Sequence, residues 1–325
     1  MNTIGLGNAL VDVLVKLKND DVLTNLGIKK GTMTMINHDQ MLALHQSLNG
    51  LERTLKPGGS LCNTTRALAR LGIQSGFVGR IGTDNNGESY RRALLDAGVA
   101  PYFQTTEGIS GCCTSMISVD GERTMCTFLG PAPDIDPNAI SDDILSLYQY
   151  INVEGYLLVN EHLIRRIMQK AKACGLKVAL GLADYNIVKA FHGLLDDIIP
   201  SYVDVLFANE TEAETYTGLS PREAALSLAE KVDVVVVTLG EKGAMVCHKG
   251  EITVVPTTPC VPVDTTGAGD YFAAGFLYGL SVGASLEQSA IIGTMLGSYI
   301  IKLVGAEIPD EDWKQIKLKV REILS

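Results

Sequence analysis

The residues best suited to chemistry lie at positions 264–275, which read DTTGAGDYFAAG. An extended, β-branched pattern ends there, and apolar residues at helical spacing follow Asp270. Gly267, Ala268 and Gly269 would place unblocked backbone N–H groups at the start of that helix, where the aligned peptide dipoles favour an anion. A carboxylate beside such amides could act as a general base next to an anion site. The alternative is that Asp270 only caps the helix and that the glycines form a tight turn.

A second glycine-rich stretch, at positions 58–72, reads GGSLCNTTRALARLG. Its apolar residues recur on one helical face, so the pattern predicts a helix that begins directly after Gly58 and Gly59. Asn63 would then lie in the first turn of that helix. The alternative is an ordinary turn followed by an exposed polar side chain.

The stretch TIGLGNALVDVLV, from position 3 onward, is a short apolar strand that runs into Asn8 and Asp12. It could be mistaken for a dinucleotide-binding fingerprint, which would make the protein a dehydrogenase. That fingerprint needs a glycine at position 10 and a helix after it, whereas Leu10 is followed by a strand-like pattern. The sequence therefore disfavours a nicotinamide site.

Polar residues also follow two other predicted strands. The strand VDVLFA runs into Asn209, and Glu212 follows shortly after it. The strand in DVVVVTLGEKG is followed by a turn with polar and glycine residues: Thr238, Gly240, Lys242 and Gly243. Taken alone, the first pair could be helix-capping residues and Lys242 a surface lysine. No GxxxxGK[ST] pattern occurs, which excludes a P-loop kinase.

These stretches together resemble the ribokinase-like (PfkB-type) carbohydrate and nucleoside kinases. The family pattern DTxGAGDxFxxG is met at every fixed position by residues 264–275, and GGSxxN followed by LG resembles the family's N-terminal signature. The resemblance implies that Asp270 removes the proton from a substrate hydroxyl as it attacks the γ-phosphate of ATP. It also implies that the amides of Gly267, Ala268 and Gly269 stabilise the moving phosphoryl group.

The same resemblance implies the binding residues. A first group of residues is expected to bind the substrate hydroxyls: Asn8, Asp12, Gly58, Gly59 and Asn63. A second group is expected to bind ATP. In it, Asn209 and Glu212 organise Mg²⁺ through water. The phosphates are held by the turn that contains Thr238, Gly240, Lys242 and Gly243. The resemblance further implies a K⁺ site at Asp264 and Thr266, completed by the loop near Gly305 and Ala306.

The substrate is predicted from smaller similarities. GNALVD, the insertion before GTMTMI, and ERTMCTFLG with EGYLL resemble adenosine kinases of bacterial type. That likeness favours a primary hydroxyl of an adenosine-like nucleoside, with Met116, Met125 and Phe128 as candidates to contact the purine. These three side chains could instead only pack within the lid. A ribose- or fructose-type sugar kinase and a non-catalytic nucleoside- or sugar-binding relative stay open as alternatives.

The amino-acid composition agrees with an enzyme that acts on small molecules. The chain has 325 residues, 46% hydrophobic and 20% charged, and a net charge of −10, which argues against nucleic acid or an anionic membrane as a partner. The seven cysteines include no CxxC pair, and there is no basic, cleavable leader, so we expect free thiols in a reducing cytoplasm. The five histidines lack the spacing of a zinc site. No apolar run reaches the ~18 residues of a membrane span.

From about residue 138 onward, β-branched runs alternate with helical patterns, which predicts a mainly parallel sheet with helices on both faces. The carboxyl ends of its strands would gather Asn209, Gly240 and Asp270 at one edge. We expect this α/β domain to comprise residues 1–10, 38–98 and 132–325. The segments 11–37 and 99–131 break the rhythm and are expected to form one small β lid over the substrate, through which a homodimer could form; alternatively they are edge strands of the main sheet.

Overall fold

The computed structural model describes residues 1–325. The strands are β1 (Thr3–Leu6), β2 (Leu10–Lys16), β3 (Met33–Met35), β4 (Arg53–Gly58), β5 (Ser75–Gly82), β6 (Val99–Thr106), β7 (Gly111–Ile117), β8 (Arg123–Phe128), β9 (Tyr150–Glu154), β10 (Lys177–Gly181), β11 (Val205–Asn209), β12 (Val234–Thr238), β13 (Ala244–His248) and β14 (Glu251–Val255). The helices are α1 (Asp21–Asn25), α2 (His38–Ser47), α3 (Ser60–Leu71), α4 (Asn85–Asp96), α5 (Asp142–Leu145), α6 (Glu161–Ala173), α7 (Tyr185–Ala190), α8 (His192–Tyr202), α9 (Glu210–Thr217), α10 (Pro221–Ala229), α11 (Ala268–Val282), α12 (Leu286–Ile300) and α13 (Trp313–Leu324).

Nine strands form the main sheet, in the order β14-β13-β12-β11-β10-β9-β1-β5-β6. All neighbours are parallel except the pairs that involve β13 and β14. Alternate residues of each strand lie on opposite faces of the sheet. In β10, Val178 and Leu180 belong to the core formed with α6, α8 and α10, whereas Ala179 belongs to the core formed with α3, α11, α12 and α13. The predicted mainly parallel sheet with both faces covered is confirmed.

The second sheet has five strands, in the order β3-β8-β7-β2-β4. It joins strands from both segments that were expected to form the lid. In β2, Val11, Val13 and Val15 are buried against a core that includes α2 and α4, while Asp12 and Leu14 lie on the other face. The small sheet therefore has one apolar, packed face and one face that is free to line a cavity.

The expected lid boundaries differ from the structure at two strands. β6 pairs in parallel with β5 and is the edge strand of the main sheet, because α4 carries the chain back as a parallel β-α-β unit. β4 belongs to the small sheet, where it pairs with β2 and is an edge strand that tolerates Pro57. Alternation along a strand tells which residues share a face, but it does not tell which sheet the strand joins.

No helix of the structure combines the length and the apolar composition that crossing a membrane requires. The most apolar stretch near the C-terminus forms α12, which packs against α11 on one face of the main sheet.

Candidate active site

The glycine-rich turn before α11 requires glycine at its centre. Gly267 is the residue that precedes the helix, and its φ of 82° is left-handed. A Cβ at this position would lie 2.9 Å from the Cβ of Ala306. Both the backbone conformation and the available space therefore exclude a side chain.

The backbone amides of this turn are not all free. Ala268 donates its N–H to the carbonyl of Thr265 at 3.2 Å. The N–H groups of Gly267, Gly269 and Asp270 donate to no group of the protein, as is usual in the first turn of a helix. The amides of Gly267 and Gly269 are thus available to an anion as expected, the amide of Ala268 is not, and that of Asp270 is available in addition.

The carboxylate of Asp270 is held by two side chains from α3. Ser60 donates its hydroxyl to Oδ1 at 2.5 Å, and Asn63 donates its amide to Oδ2 at 2.9 Å. Thr64 also donates its hydroxyl to the Asp270 carbonyl at 3.0 Å. The Asp270 side chain forms no capping hydrogen bond with its own helix, so the capping alternative is wrong. Burial raises the pKa of Asp270, and the hydrogen bonds from Asn63 and Ser60 oppose that rise.

Two buried asparagines share an unusual hydrogen-bonding pattern. Asn63 donates to Asp270, and Asn8 donates to Oε1 of Glu154 at 2.9 Å, but the Oδ1 atom of each asparagine is buried and has no partner. Most buried polar atoms are paired, so an unpaired acceptor is informative. Each of these oxygens could accept a hydrogen bond from a substrate hydroxyl.

The adjacent glycines allow close approach around these residues. A Cβ at Gly59, whose φ is 91°, would lie 2.5 Å from the Asn8 carbonyl oxygen. A Cβ at Gly58 would lie 2.2 Å from the Asp12 carboxyl group. The two glycines therefore permit Asn8, Asp12 and the start of α3 to converge.

Asp12 lies on the free face of the small sheet and lines a cavity of about 80 Å³ together with Lys56, Arg123 and Met125. Burial, followed by the nearby charge of Asp270, raises the pKa of Asp12 to about 7, although Arg123 and Arg66 act in the opposite direction. Asp270 therefore contributes to the raised pKa of Asp12, second to burial.

Two of the residues predicted to contact a purine lie on the wrong face of the small sheet. Met116 is fully buried in the core, and Phe128, on the same face of the adjacent strand, packs against that core and against the ring of His38. Met125 lies on the opposite face and lines the cavity beside Asp12. The cause is the two-residue period of a strand, which sends Met125 and Phe128 to opposite faces.

Two larger cavities meet at the start of α11. One has a volume of about 490 Å³ and reaches Asp270, Glu154 and Asn209; the other has a volume of about 780 Å³ and is lined by residues of the β12–β13 turn and of α12. Both are lined by Gly269 and Gly240. Their volumes are in the range of small-molecule sites.

The residues predicted to bind ATP line these cavities. Asn209 and Glu212 form a capping box at the start of α9, in which the Glu212 oxygens accept the Asn209 side-chain amide at 2.7 Å and its backbone N–H at 3.0 Å. Burial raises the pKa of Glu212. No group of three or more His, Cys, Asp or Glu residues is arranged to hold a metal ion directly. Asn209 and Glu212 therefore cap helix α9, and both line the cavity of about 490 Å³.

The β12–β13 turn contains the other predicted ATP residues. Thr238, Gly240, Lys242 and Gly243 all line the larger cavity, and Gly240 and Gly243 have φ values of 57° and 100°. The Lys242 side chain is exposed and lies 3.7 Å from Glu210, so it is a surface lysine at the cavity rim.

Asp264 binds protein groups with both oxygens. Oδ2 lies 2.9 Å from the guanidinium of Arg123 and accepts the N–H of Gly305 at 2.6 Å, while Oδ1 accepts the hydroxyl of Thr266 at 2.7 Å. These hydrogen bonds, with the charge of Arg123, hold the pKa of Asp264 below its usual range although burial opposes them. The contact joins strand β8 of the small sheet to the glycine-rich turn.

Sequence reasoning missed several residues of this site. Ser60 and Thr64 lie within the quoted motif, but their contacts with Asp270 depend on the packing of α3 against α11. Glu154 lies in the segment EGYLL and Arg123 in the segment ERTM, and the likeness of these segments to adenosine kinases assigns no role to either side chain. A charged residue at the end of a buried strand, as Glu154 is, was the available signal.

The sequence matches the family described as pfkB family carbohydrate kinase over residues 33–313. Adenosine kinase of Saccharomyces cerevisiae is 30% identical over 314 residues, which cover 90% of this chain and 89% of the yeast protein. Ribokinase of Haemophilus influenzae is 26% identical and covers 81% of this chain and 86% of its own length. The crystal structure of adenosine kinase from Sinorhizobium meliloti superposes with a TM-score of 0.87 at 29% identity and covers 99% of this chain and 98% of that one, which confirms the ribokinase-like fold. The chain therefore belongs to the pfkB family of carbohydrate kinases and is an ATP-dependent kinase of a nucleoside or sugar.

Proposed function

We propose that this kinase transfers the γ-phosphate of ATP to a primary hydroxyl of an adenosine-like nucleoside, with Asp270 as the general base. The arrangement around Asp270 carries the proposal. Its carboxylate accepts a hydrogen bond from Asn63, whose own Oδ1 is unpaired, and it lies in the first turn of α11, where the amides of Gly267 and Gly269 are free. A substrate hydroxyl bound to Asn63 and a phosphoryl group bound to these amides would both lie next to Asp270.

The reaction needs few parts. Asp270 accepts the hydroxyl proton while the substrate oxygen bonds to the γ-phosphorus, and the bond to the β–γ bridging oxygen breaks to release ADP. Ser60 and Asn63 orient the carboxylate, and the amides of Gly267 and Gly269 stabilise charge on the transferring group. Mg²⁺, when bound, neutralises charge on the phosphates. Asn209 and Glu212 would hold it through water, which suits an ion that keeps several waters when it binds protein carboxylates.

A methionine-rich surface favours a nucleoside over a free sugar. Met33 and Met35 are each 50% exposed on the edge strand β3. Met33 pairs with Met125, so the three methionines lie on the face of the small sheet that lines the Asp12 cavity. A purine could cover this apolar surface, whereas a free sugar could not. The yeast and Sinorhizobium relatives described as adenosine kinases support the same choice.

Release of ADP with adenosine, ribose and fructose tests the proposal directly. We expect the highest kcat/KM with adenosine. Replacement of Met33 and Met35 by Ser should raise the KM for adenosine more than that for ribose, while Leu55→Ser, an equally exposed apolar residue on the other edge strand, should change neither. Higher kcat/KM with ribose or fructose would favour the sugar-kinase alternative. No turnover with any of them would favour a non-catalytic binding protein.

Three further expectations stay predictions. A K⁺ site at Asp264 and Thr266 would have to use backbone carbonyl oxygens, because the Asp264 carboxylate already binds Arg123. A homodimer through the small sheet would cover its exposed methionines. The third expectation is a location in the cytoplasm. The seven cysteines are free thiols, which a reducing compartment would maintain.

A further inference from the structure

A buried tyrosine lies directly beneath the glycines of the proposed sugar site. Tyr90 projects from α4 and is 1% exposed. Its hydroxyl donates a hydrogen bond of 2.9 Å to the carbonyl oxygen of Gly58. The same hydroxyl would lie 3.9 Å from a Cβ at Gly59. Tyr90 belongs to the core that contains Val11 and Val13, which lie on the face of β2 opposite to Asp12.

The ring of Tyr90 is itself fixed by other aromatic residues. Its centroid lies 5.7 Å from that of Phe103, edge-on, and 6.2 Å from that of Phe77. Phe77 and Phe103 belong to the adjacent strands β5 and β6 of the main sheet. The position of the hydroxyl is thus set by the rigid sheet and not by a loop.

The turn that Tyr90 holds also sets the position of the asparagine acceptors. Gly59 lies against the carbonyl of Asn8, and its own carbonyl accepts the N–H of Asn63 at 3.1 Å. A shift of the Gly58 peptide would therefore move both buried amides relative to Asp270. Outside the strand pairing with β2, Tyr90 is the only protein group that donates to the Gly58 carbonyl.

We propose that Tyr90 is a positioning residue for substrate binding: its hydroxyl holds the Gly58–Gly59 turn so that the turn and the two asparagines fit the sugar hydroxyls, although Tyr90 itself contacts no substrate. This inference rests on the proposed function, since it takes the turn to be the sugar site. Loss of the hydroxyl weakens sugar binding and leaves the nucleotide side unchanged, because Tyr90 lines neither of the two larger cavities.

Tyr90→Phe tests the inference, with Tyr148→Phe as the matched control. Tyr148 is also buried, at 3% exposure, and its hydroxyl bonds to that of Tyr102 at 3.0 Å, but it lies beyond the opposite end of β9 from Glu154. We expect Tyr90→Phe to raise the KM for adenosine by ~10-fold, with kcat and the KM for ATP within about twofold of wild type, because the Gly58 carbonyl loses the hydrogen bond from Tyr90. Tyr148→Phe should lower the melting temperature to a similar degree and change neither KM.

An adenosine KM of Tyr90→Phe within about twofold of wild type, beside a comparable loss of thermal stability, would assign Tyr90 a structural role only and overturn the inference. If Tyr90→Phe fails to fold, Phe103→Leu serves as the test, because it loosens the packing of the Tyr90 ring and keeps the Tyr90 hydroxyl. A raised KM for adenosine in this variant supports the inference, and an unchanged KM overturns it. Wild-type protein that phosphorylates neither nucleosides nor sugars refutes the proposed function, and the substrate-positioning role of Tyr90 with it. Normal wild-type turnover with an unaffected Tyr90→Phe variant refutes the role of Tyr90 alone.

Discussion

Asn63 donates its side-chain amide to the Asp270 carboxylate at 2.9 Å across 207 residues of sequence. Because this bond fixes the orientation of the amide, the Oδ1 atom of Asn63 is directed away from Asp270 and stays unpaired. A hydroxyl that binds this oxygen would be held next to the carboxylate that could deprotonate it. In the proposed mechanism, substrate binding and proton removal would therefore be linked through one side chain.

Asp270→Asn should retain substrate binding and lose turnover. Asparagine keeps the size of the side chain and can still bond to Ser60, but it cannot accept a proton at neutral pH. We expect kcat to fall by at least ~100-fold, while adenosine affinity measured by calorimetry changes little. Asp310→Asn, at an exposed salt bridge with Arg70, is the control and should behave as wild type. Equal loss of binding and turnover in Asp270→Asn would indicate a structural carboxylate.

The kcat/KM for adenosine should rise as the pH increases from about 5 to 8. If Asp12 accepts two substrate hydroxyls as proposed, it does so in its ionised form. In the ligand-free protein its pKa is raised to about 7, so the ionised form is gained across that range. Asp12→Asn removes this group, and we expect the variant to have a higher adenosine KM and a pH profile that no longer rises near pH 7. The KM of this variant for ATP should be nearly unaffected. If its pH profile still rises near pH 7, the rise belongs to the titration of another group.

Glu154→Gln should flatten the dependence of stability on pH. Burial raises the pKa of Glu154 from 4.5 to about 7, partly offset by hydrogen bonds from Asn8 and Leu61, so the folded protein binds its proton more tightly than the unfolded chain. The free energy of unfolding therefore falls as the pH rises from 4.5 to 7, by up to about 3 kcal/mol. Urea unfolding at pH 5 and pH 8 should show a smaller loss in Glu154→Gln than in the wild type, and the remaining loss is expected from Asp12, whose pKa is also raised to about 7. Glu161→Gln, which is exposed, should follow the wild type.

The predicted K⁺ dependence can be measured by exchange of the monovalent salt. If the turn that contains Thr266 binds K⁺, turnover should be higher in KCl than in tetramethylammonium chloride at equal ionic strength, because only the smaller ion fits oxygen ligands. The effect should be on the ATP side, since Thr265, Ala268 and Gly269 of the same turn line the larger cavity. Equal rates in the two salts would contradict the prediction.

The sequence by itself indicated the reaction class, through its resemblance to the ribokinase-like kinases, and it determined the parallel sheet, through local patterns. A helix that begins directly after Gly267 needs only the residues around it, and strands alternating with helices restrict the topology to few solutions. The roles assigned to Asp270, Asn63 and Gly59 likewise came from short motifs in which neighbouring residues fix the backbone.

Only the tertiary structure decided which distant groups meet. Strand period placed Met125 and Phe128 on opposite faces, but the pairing of β8 with β7 and β3 decided which face lines the cavity. The unpaired oxygens of Asn8 and Asn63, and the hydroxyl of Tyr90 beneath Gly58, arise from contacts between elements far apart in the chain. Such contacts depend on how α3, α4 and α11 pack together, and side-chain packing across elements leaves no periodic signal in the sequence.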